Sequence, residues 1–154
     1  MELFTIGVYG KTEDEFFGAL KAARIEVLAD IRRRRGVRGK AYAYANKKNL
    51  EAKLKQIGIE CIHIKRLAPT QTLRQTQKQD DAAKKIAKSR RQTLSQDFRD
   101  GYIREQLAGY TWEDFVRDVG GENKRVALLC VEGPPEACHR SLIAPYFGLE
   151  AKHL

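Results

Sequence analysis

The sequence predicts a compact α/β domain of Rossmann-like, three-layer architecture with a mainly parallel sheet. Short apolar runs alternate with capped helical patterns along the chain, which is typical of a parallel sheet covered by helices on both faces. A chain of 154 residues is long enough to bury a core, and its hydrophobic fraction of 42% is ordinary for a globular protein. We therefore expect a single domain over residues 1–154, with a basic polar insertion or arm at about residues 65–95.

Four short apolar runs are predicted to form the strands, at residues 3–8, 26–31, 59–64 and 125–131. Between the first two, Thr12 and Glu15 form the pattern of a capping box, in which each side chain accepts a free backbone N–H of the first helical turn. A helix between two strands gives a βαβ unit, whose strands are parallel and whose crossover is right-handed. Asn46 and Thr111 are predicted to begin two further helices.

Positive charge is concentrated in the middle of the sequence. The formal net charge is +9, and residues 32–91 hold 19 Lys and Arg but only four Asp and Glu. Within this region, residues 70–88 have few large apolar side chains, which indicates a solvated helix, an insertion or a mobile arm. Such a basic region favours a polyanionic partner, nucleic acid or a nucleotide, although it also suits a merely solubilising surface. The expected contacts with nucleic acid are Arg33, Arg34, Lys84, Lys85, Arg90 and Arg91.

Membrane and secreted classes do not fit the composition. No apolar run approaches the roughly 20 residues needed to span a bilayer, and the first residues lack the basic leader and cleavage site of a signal peptide. Three cysteines are an odd number, without the dense spacing of a disulfide framework. We therefore expect a cytoplasmic protein with no membrane partner.

The stretch from Cys130 to Ser141 concentrates reactive side chains between a predicted strand and a predicted helix. It holds two cysteines, two glutamates, a histidine and an arginine. Polar groups also follow the second strand. Because parallel strands end at the same edge of a sheet, where α/β proteins bind their ligands, we expect one pocket to be surrounded by Asp30, Arg32, Cys130, Glu132, His139 and Arg140.

Phosphate binding is the simplest chemistry for this pocket, because planar guanidinium groups match phosphate oxygens. The predicted phosphate-binding residues are Asp30, Arg32, Arg38, Arg140 and Ser141. In this set Asp30 is expected to orient an arginine, since a free carboxylate would repel an anionic ligand. The candidate catalytic residues are Cys130, Glu132 and His139, of which the last two suit proton transfer.

Two alternative chemistries use the cysteines. A thiolate nucleophile would be Cys130 or Cys138, but Glu136 stands where the Cys-x5-Arg loop of cysteine phosphatases has its arginine. A zinc site would draw its ligands from Cys130, Cys138, His139, His63 and Cys61. The absence of a Cys-x-x-Cys pair and the adjacency of Cys138 and His139 disfavour that site, so we predict no metal and no cofactor. Both cysteines also suit simple packing.

Several motifs give the chain a resemblance to a known family. They are Thr5-Ile6-Gly7, Asp30-Ile31-Arg32, Gly58-Ile59 with His63, Cys130 to Ser141 with its Cys-x-Glu and Cys-His-Arg patterns, and His153 near the end. In these motifs the chain resembles, nearly from end to end, the YeaO-like family of small prokaryotic proteins, catalogued as a domain of unknown function. The family usually has proline and serine after Asp-x-Arg, where this chain has Arg35 and Val37, while Arg38 matches the arginine that follows. The resemblance implies a compact Rossmann-like α/β domain and no established reaction.

The sequence therefore favours an enzyme-like domain that binds a phosphate-bearing ligand, a nucleotide or nucleic acid, at the carboxyl ends of the strands. The alternative is a non-catalytic module that binds nucleic acid through its basic region. Enzymatic activity is left open by the sequence.

Overall fold

The computed structural model describes residues 1–154, apart from the side chain of Ser89. The strands are β1 (Glu2–Ile6), β2 (Val27–Asp30), β3 (Glu60–His63), β4 (Arg125–Leu129) and β5 (Ala151–His153). The α-helices are α1 (Glu13–Ala22), α2 (Lys47–Gln56), α3 (Gln71–Ala83), α4 (Gln96–Tyr102), α5 (Trp112–Asp118) and α6 (Arg140–Tyr146). Short 3-10 helices span Lys40–Ala45, Lys65–Leu67, Lys88–Arg90 and Pro135–Ala137, and a π-helix, Ile103–Leu107, extends α4. Among the described helices, none has both the length and the apolar character needed to cross a bilayer.

The five strands form one sheet in the order β3-β2-β4-β1-β5, and every neighbouring pair is parallel. The prediction of a mainly parallel sheet is confirmed. β1 and β2 are parallel as expected, but β4 lies between them, so the first βαβ unit crosses over one strand. The fifth strand was not among the four predicted runs; it pairs with β1, and Thr5 Oγ1 lies 2.7 Å from His153 Nδ1.

Helices cover both faces of the sheet and produce the three layers. On one face, Phe16 and Leu20 of α1 and Leu50 of α2 pack on the sheet. On the other face, side chains of α3, α4, α5 and α6 form a second apolar cluster. Neighbouring residues of β1 alternate between the two clusters, since Leu3 packs in one and Phe4 in the other.

All four predicted strands extend beyond the observed ones at their carboxyl ends, by two residues for β1 and β4 and by one residue for β2 and β3. β1 ends at Ile6 and β4 at Leu129, and the regular pairing of the ladder is not continued beyond them. Instead, the backbone N–H groups of Val8 and Tyr9 both donate to the carbonyl oxygen of Val131, at 3.1 and 2.9 Å. The loop after β1 is therefore joined to the loop after β4 at this edge of the sheet.

The predicted helix starts are partly confirmed. Thr12 and Thr111 each form a full capping box. Asn46 occupies the N-cap position of α2, but its side chain accepts no helical N–H. Its Oδ1 accepts instead from the backbone N–H of Val37 at 2.7 Å, so Asn46 ties the basic loop after β2 to the start of α2.

The basic segment at residues 65–95 packs against the domain. Leu73 and Leu94 belong to the core cluster on the α3 face of the sheet. Gln77 of α3 is buried and joins two parts of the segment, donating to Asp81 Oδ1 at 2.8 Å and accepting from the Ser95 N–H at 2.9 Å. Of the three interpretations of residues 70–88, the structure shows a helix that is largely exposed, and a few buried side chains within its polar sequence are enough to dock it.

Candidate functional site

A pocket with a volume of about 600 Å³ opens at the carboxyl edge of the sheet. The loop after β2, the loop after β4 and one side of α3 form most of its wall. This is the edge where parallel strands bring their following loops together, so the structure places the pocket where the strand pattern predicts a ligand site.

Asp30, at the end of β2, anchors two arginines beneath the pocket. Arg32 donates from Nε and Nη2 to the two carboxylate oxygens, each at 2.8 Å, and Arg35 donates from Nε at 2.7 Å. Burial alone would raise the pKa of Asp30, but the hydrogen bonds and charge of Arg32, with those of Arg35, outweigh it and lower the pKa. The expectation that Asp30 orients an arginine is confirmed, and its charge is neutralised before any ligand arrives.

Each guanidinium nitrogen of Arg32 donates a hydrogen bond within the protein. Its Nη1 donates to the carbonyl oxygen of Ala45 at 2.9 Å, and the residue is 2% exposed. Arg32 therefore contributes to the pocket wall with a guanidinium group in which three of the five N–H groups already donate to Asp30 and Ala45. Its main observed role is therefore to hold the loop after β2 in place.

Arg140, at the start of α6, shapes the loop after β4. Its Nη1 and Nη2 donate to the carbonyl oxygens of Glu132 and Gly133, at 2.6 and 2.5 Å, and the residue is buried. Gly7 of the neighbouring loop approaches so closely that a Cβ there would collide with the Glu132 carbonyl. Neither Arg140 nor Ser141 is among the described residues that line the pocket; Ser141 Oγ donates to the Cys138 carbonyl at 2.9 Å. Arg140 thus holds the loop after β4 in place from outside the lining of the pocket.

Four buried reactive side chains form the floor of the pocket. Cys130 Sγ donates to Glu132 Oε2 at 3.1 Å. His139 Nδ1 lies 3.6 Å from Cys138 Sγ and 3.9 Å from Cys130 Sγ, and its Nε2 lies 3.2 Å from the carbonyl oxygen of Ile31. Adjacency in sequence therefore does not separate the reactive atoms of Cys138 and His139, contrary to the expectation from the sequence.

Protonation on this floor is set by burial and by close neighbours. The hydrogen bond with Cys138 and burial raise the pKa of Cys130 well above its usual value, so its thiol stays protonated at neutral pH. That disfavours Cys130 as an unaided thiolate nucleophile. Burial opposes the charged form of His139, but the neighbouring Cys130 and Glu132 outweigh it and raise the pKa of the imidazole.

Glu132 keeps its charge because the basic segment supplies its partners. Lys88 Nζ lies 3.2 Å and Arg91 Nη2 lies 3.3 Å from Glu132 Oε1. Burial would raise the pKa of Glu132, yet the Lys88 charge leads the groups that lower it to about 2. Arg91 also donates to Asp81 at 2.8 Å and to the Ala137 carbonyl at 3.1 Å. The prediction that Arg91 contacts nucleic acid is therefore revised, because its guanidinium is buried within the protein.

The mouth of the pocket carries cations that the protein leaves without acidic partners. Arg33, Arg34, Arg38 and Lys78 are exposed there and Arg74 is half-buried. Within the part of the chain that the structure describes, none of the five forms an ion pair. The two acidic side chains in the lining, Asp81 and Glu132, are paired with Arg91 and Lys88, so the open face of the pocket is positive.

The remaining predicted nucleic-acid contacts lie beside this pocket. Lys84, Lys85 and Arg90 are exposed and line a second depression of about 330 Å³. Lys84 is paired with Asp80 of the same helix at 2.8 Å. The two depressions share Asp81 and Arg91 in their walls, so they adjoin each other.

Three residues at or near the pocket, Arg35, Arg74 and Lys78, were not predicted as site residues from the sequence. Arg74 and Lys78 lie four residues apart, on one side of α3, and both face the pocket. Their i, i+4 spacing indicates a shared face of a helix, but the sequence left open whether this segment is a helix, an insertion or an arm. Arg35 forms ion pairs with both Asp30 and Glu51. It belongs to the run of four arginines after β2, and the sequence does not distinguish it from its exposed neighbours.

The comparisons with known proteins agree with the motifs. A family model described as "Domain of unknown function DUF488" matches residues 12–147, a range that holds both Asp30 and the stretch from Cys130 to Ser141. No significant match was found among curated proteins or among solved structures.

Proposed function

This chain belongs to the DUF488 family of domains of unknown function, and we propose that it binds a phosphate-bearing ligand, a nucleotide or nucleic acid, in the pocket at the carboxyl edge of its sheet. The observation that carries the proposal is the distribution of charge around that pocket. The cations at the mouth have no acidic partner among the described residues, while the buried acids Asp30 and Glu132 are each neutralised by other cations. A cleft with uncompensated positive charge concentrates anions.

The cations approach the pocket from two sides. Arg33, Arg34 and Arg38 belong to the loop after β2, and Arg74 and Lys78 belong to α3. Guanidinium groups offer paired donors to phosphate oxygens, and two sides that carry such groups suit a phosphate held between them. The pocket volume of about 600 Å³ is also in the usual range for small-molecule sites.

The floor beneath the proposed ligand gives the site its enzyme-like character. His139 is a buried titratable group whose pKa is raised, with the charged Glu132 among the causes, and such groups cluster at functional sites. Glu132 and His139 both line the pocket that we propose for the ligand. Three free thiols suit the reducing cytoplasm, which we propose as the compartment.

Salt-dependent binding tests the proposal. A fluorescent single-stranded oligonucleotide and a nucleoside triphosphate are titrated at about 50 and 200 mM salt, since each released counterion adds to the slope of affinity against salt. We expect affinity to fall as salt rises. The Arg34→Ala/Arg38→Ala variant should bind more weakly and show a salt slope lower by about two.

A control variant matches this one in the charge that it removes. Lys21 of α1 and Lys55 of α2 are exposed and lie near the ends of helices that lead back to the start of a strand, at the opposite edge of the sheet. Lys21→Ala/Lys55→Ala should bind as the unmodified protein does. Equal losses in the two variants would mean that net charge alone attracts the polyanion, and the proposed pocket would be rejected.

The second depression supports one alternative, a non-catalytic nucleic-acid-binding module. Lys84, Lys85 and Arg90 would then carry the affinity, outside the pocket and away from His139. Lys85→Ala/Arg90→Ala distinguishes the two: a loss larger than that of Arg34→Ala/Arg38→Ala favours the module. Chemical change of a bound nucleotide, followed by chromatography and lost in His139→Ala while binding persists, favours the enzyme.

A further inference from the structure

Three atoms that bind metals well converge on the pocket floor. The Sγ atoms of Cys130 and Cys138 and a ring nitrogen of His139 all lie within 4.8 Å of one another. All three residues are buried, with at most 5% of their surface exposed. The phosphate-binding proposal makes no use of the two thiols, so their convergence needs an explanation of its own.

The spacing fits the edges of a tetrahedral zinc site. Zinc bonds of about 2.3 Å to sulfur and about 2.0–2.1 Å to nitrogen place a sulfur and a nitrogen ligand roughly 3.5 Å apart. The observed distances from His139 Nδ1 are 3.6 Å to Cys138 Sγ and 3.9 Å to Cys130 Sγ. A small adjustment of the side chains therefore brings all three atoms around one ion.

The other ring nitrogen of His139 is held as a metal-bound histidine requires. Nε2 lies 3.2 Å from the carbonyl oxygen of Ile31, which has no proton to donate, so Nε2 carries the proton of this hydrogen bond. In the neutral ring, Nδ1 then presents its lone pair toward the two thiols. Histidine ligands are commonly oriented in this way, by a backbone carbonyl that fixes the tautomer.

We propose that Cys130, Cys138 and His139 form a three-ligand zinc site whose fourth position opens into the basic pocket. All three residues line that pocket, and three protein ligands with one open position are the pattern of catalytic rather than structural zinc. Two sulfurs and an imidazole favour zinc over calcium or magnesium, which prefer oxygen ligands. The fourth position would take water or a phosphate oxygen of the ligand.

Metal binding can be measured without any polyanion, so the result does not depend on the proposed function. The full chain, without a histidine tag and kept under a non-chelating reductant, is stripped of metal and titrated with zinc against a chromophoric chelator. We expect one zinc ion per chain and a higher Tm in the presence of zinc. Cobalt in place of zinc should give a thiolate-to-metal charge-transfer absorption and the intense visible bands of a tetrahedral ion.

The third cysteine provides a matched control. Cys61 is also a free thiol, but it lies on β3 and contacts Arg35 Nη2 at 3.5 Å. Cys138→Ser and His139→Gln should weaken zinc binding by more than about 100-fold, since even the loss of a group that only orients a ligand costs 10–100-fold. Cys61→Ser should bind zinc as the unmodified chain does.

Three results would overturn the proposal. The first is a stoichiometry below one half in the unmodified chain, and the second is equal zinc affinity in Cys138→Ser and Cys61→Ser. The third is a cobalt complex of the unmodified chain without thiolate charge transfer, which decides the matter even if a variant fails to fold.

Discussion

Replacing Asp30 with asparagine removes a buried charge while preserving the shape of the side chain. Asp30 is 0% exposed and accepts three side-chain N–H groups, two from Arg32 and one from Arg35. The asparagine amide would turn an N–H₂ group toward these donors. Arg32, itself 2% exposed, would be left as a buried charge without a counterion.

The expected loss of stability is large. Removing one member of a buried ion pair costs about 3–5 kcal/mol. For a domain of this size, each kcal/mol shifts the Tm by roughly 2–4 °C, so Asp30→Asn should lower the Tm by about 6–20 °C. Thermal unfolding followed by circular dichroism, with urea unfolding as a second measure, gives the value.

The effect should also depend on pH. In the folded protein the pKa of Asp30 is lowered, because the two arginines outweigh the cost of burial. Its contribution to the free energy of unfolding is therefore present above the unfolded value of about 4 and is lost as the pH falls through the folded pKa. The gap in stability between the unmodified protein and Asp30→Asn should narrow below about pH 4.

Asp80→Asn is the control, because Asp80 makes an ion pair of the same 2.8 Å length with Lys84, in which both side chains are partly exposed. An exposed pair of this kind contributes about 0–1 kcal/mol. If Asp30→Asn and Asp80→Asn cost the same, or if the gap stays constant in acid, the claim that the Asp30 cluster supports the site through buried charge is wrong.

Two further substitutions test how the site is built. Gly7→Ala should destabilise the protein by about 1–3 kcal/mol, because the new methyl group collides with the Glu132 carbonyl. Gly18→Ala is the control: it lies in α1, with no neighbouring atom within 4 Å of the new methyl group. This control should be neutral or stabilising by up to about 1 kcal/mol. Urea unfolding compares the two, and a mild Gly7→Ala would show that the loops after β1 and β4 adapt easily. Arg140→Met should cost several kcal/mol, since it leaves the carbonyls of Glu132 and Gly133 without donors at roughly 1–3 kcal/mol each, and it should raise amide exchange in the loop after β4; unchanged exchange would contradict the bracing role.

Much of the fold follows from local patterns in the sequence. The apolar runs of β1 and β4 and the capping boxes at Thr12 and Thr111 are formed by residues close together in the chain, and each is found where the sequence predicts it. The strand order could not be predicted in this way, because nothing in the sequence of the first βαβ unit indicates that β4 lies between its two strands. β5 has only three residues, too few to show a periodicity.

The candidate site was predictable at the level of which loops meet, but not of which side chains face the pocket. The strand pattern brought the loops after β2 and β4 together, and Arg32, Cys130, Glu132 and His139 do line one pocket. The pattern could not distinguish Arg38, which is exposed at the mouth, from Arg140, which is buried against backbone carbonyls. Arg140 is held inward by carbonyl oxygens only seven and eight residues before it, and the loop conformation that brings those oxygens to it cannot be deduced from the strand and helix patterns.

The docking of the basic segment on Glu132 has a consequence for the limits of the domain. Lys88 and Arg91 neutralise a carboxylate that lies beyond β4, some forty residues further along the chain. A shortened chain that joins β3 directly to α4 would keep every strand of the sheet. It would nevertheless leave the buried Glu132 carboxylate, beside Cys130, without its cationic partners. The smallest unit that folds with an intact site therefore includes α3 and the turn after it, and in any comparison of related chains a change in the length of this stretch should be accompanied by a change at the position of Glu132.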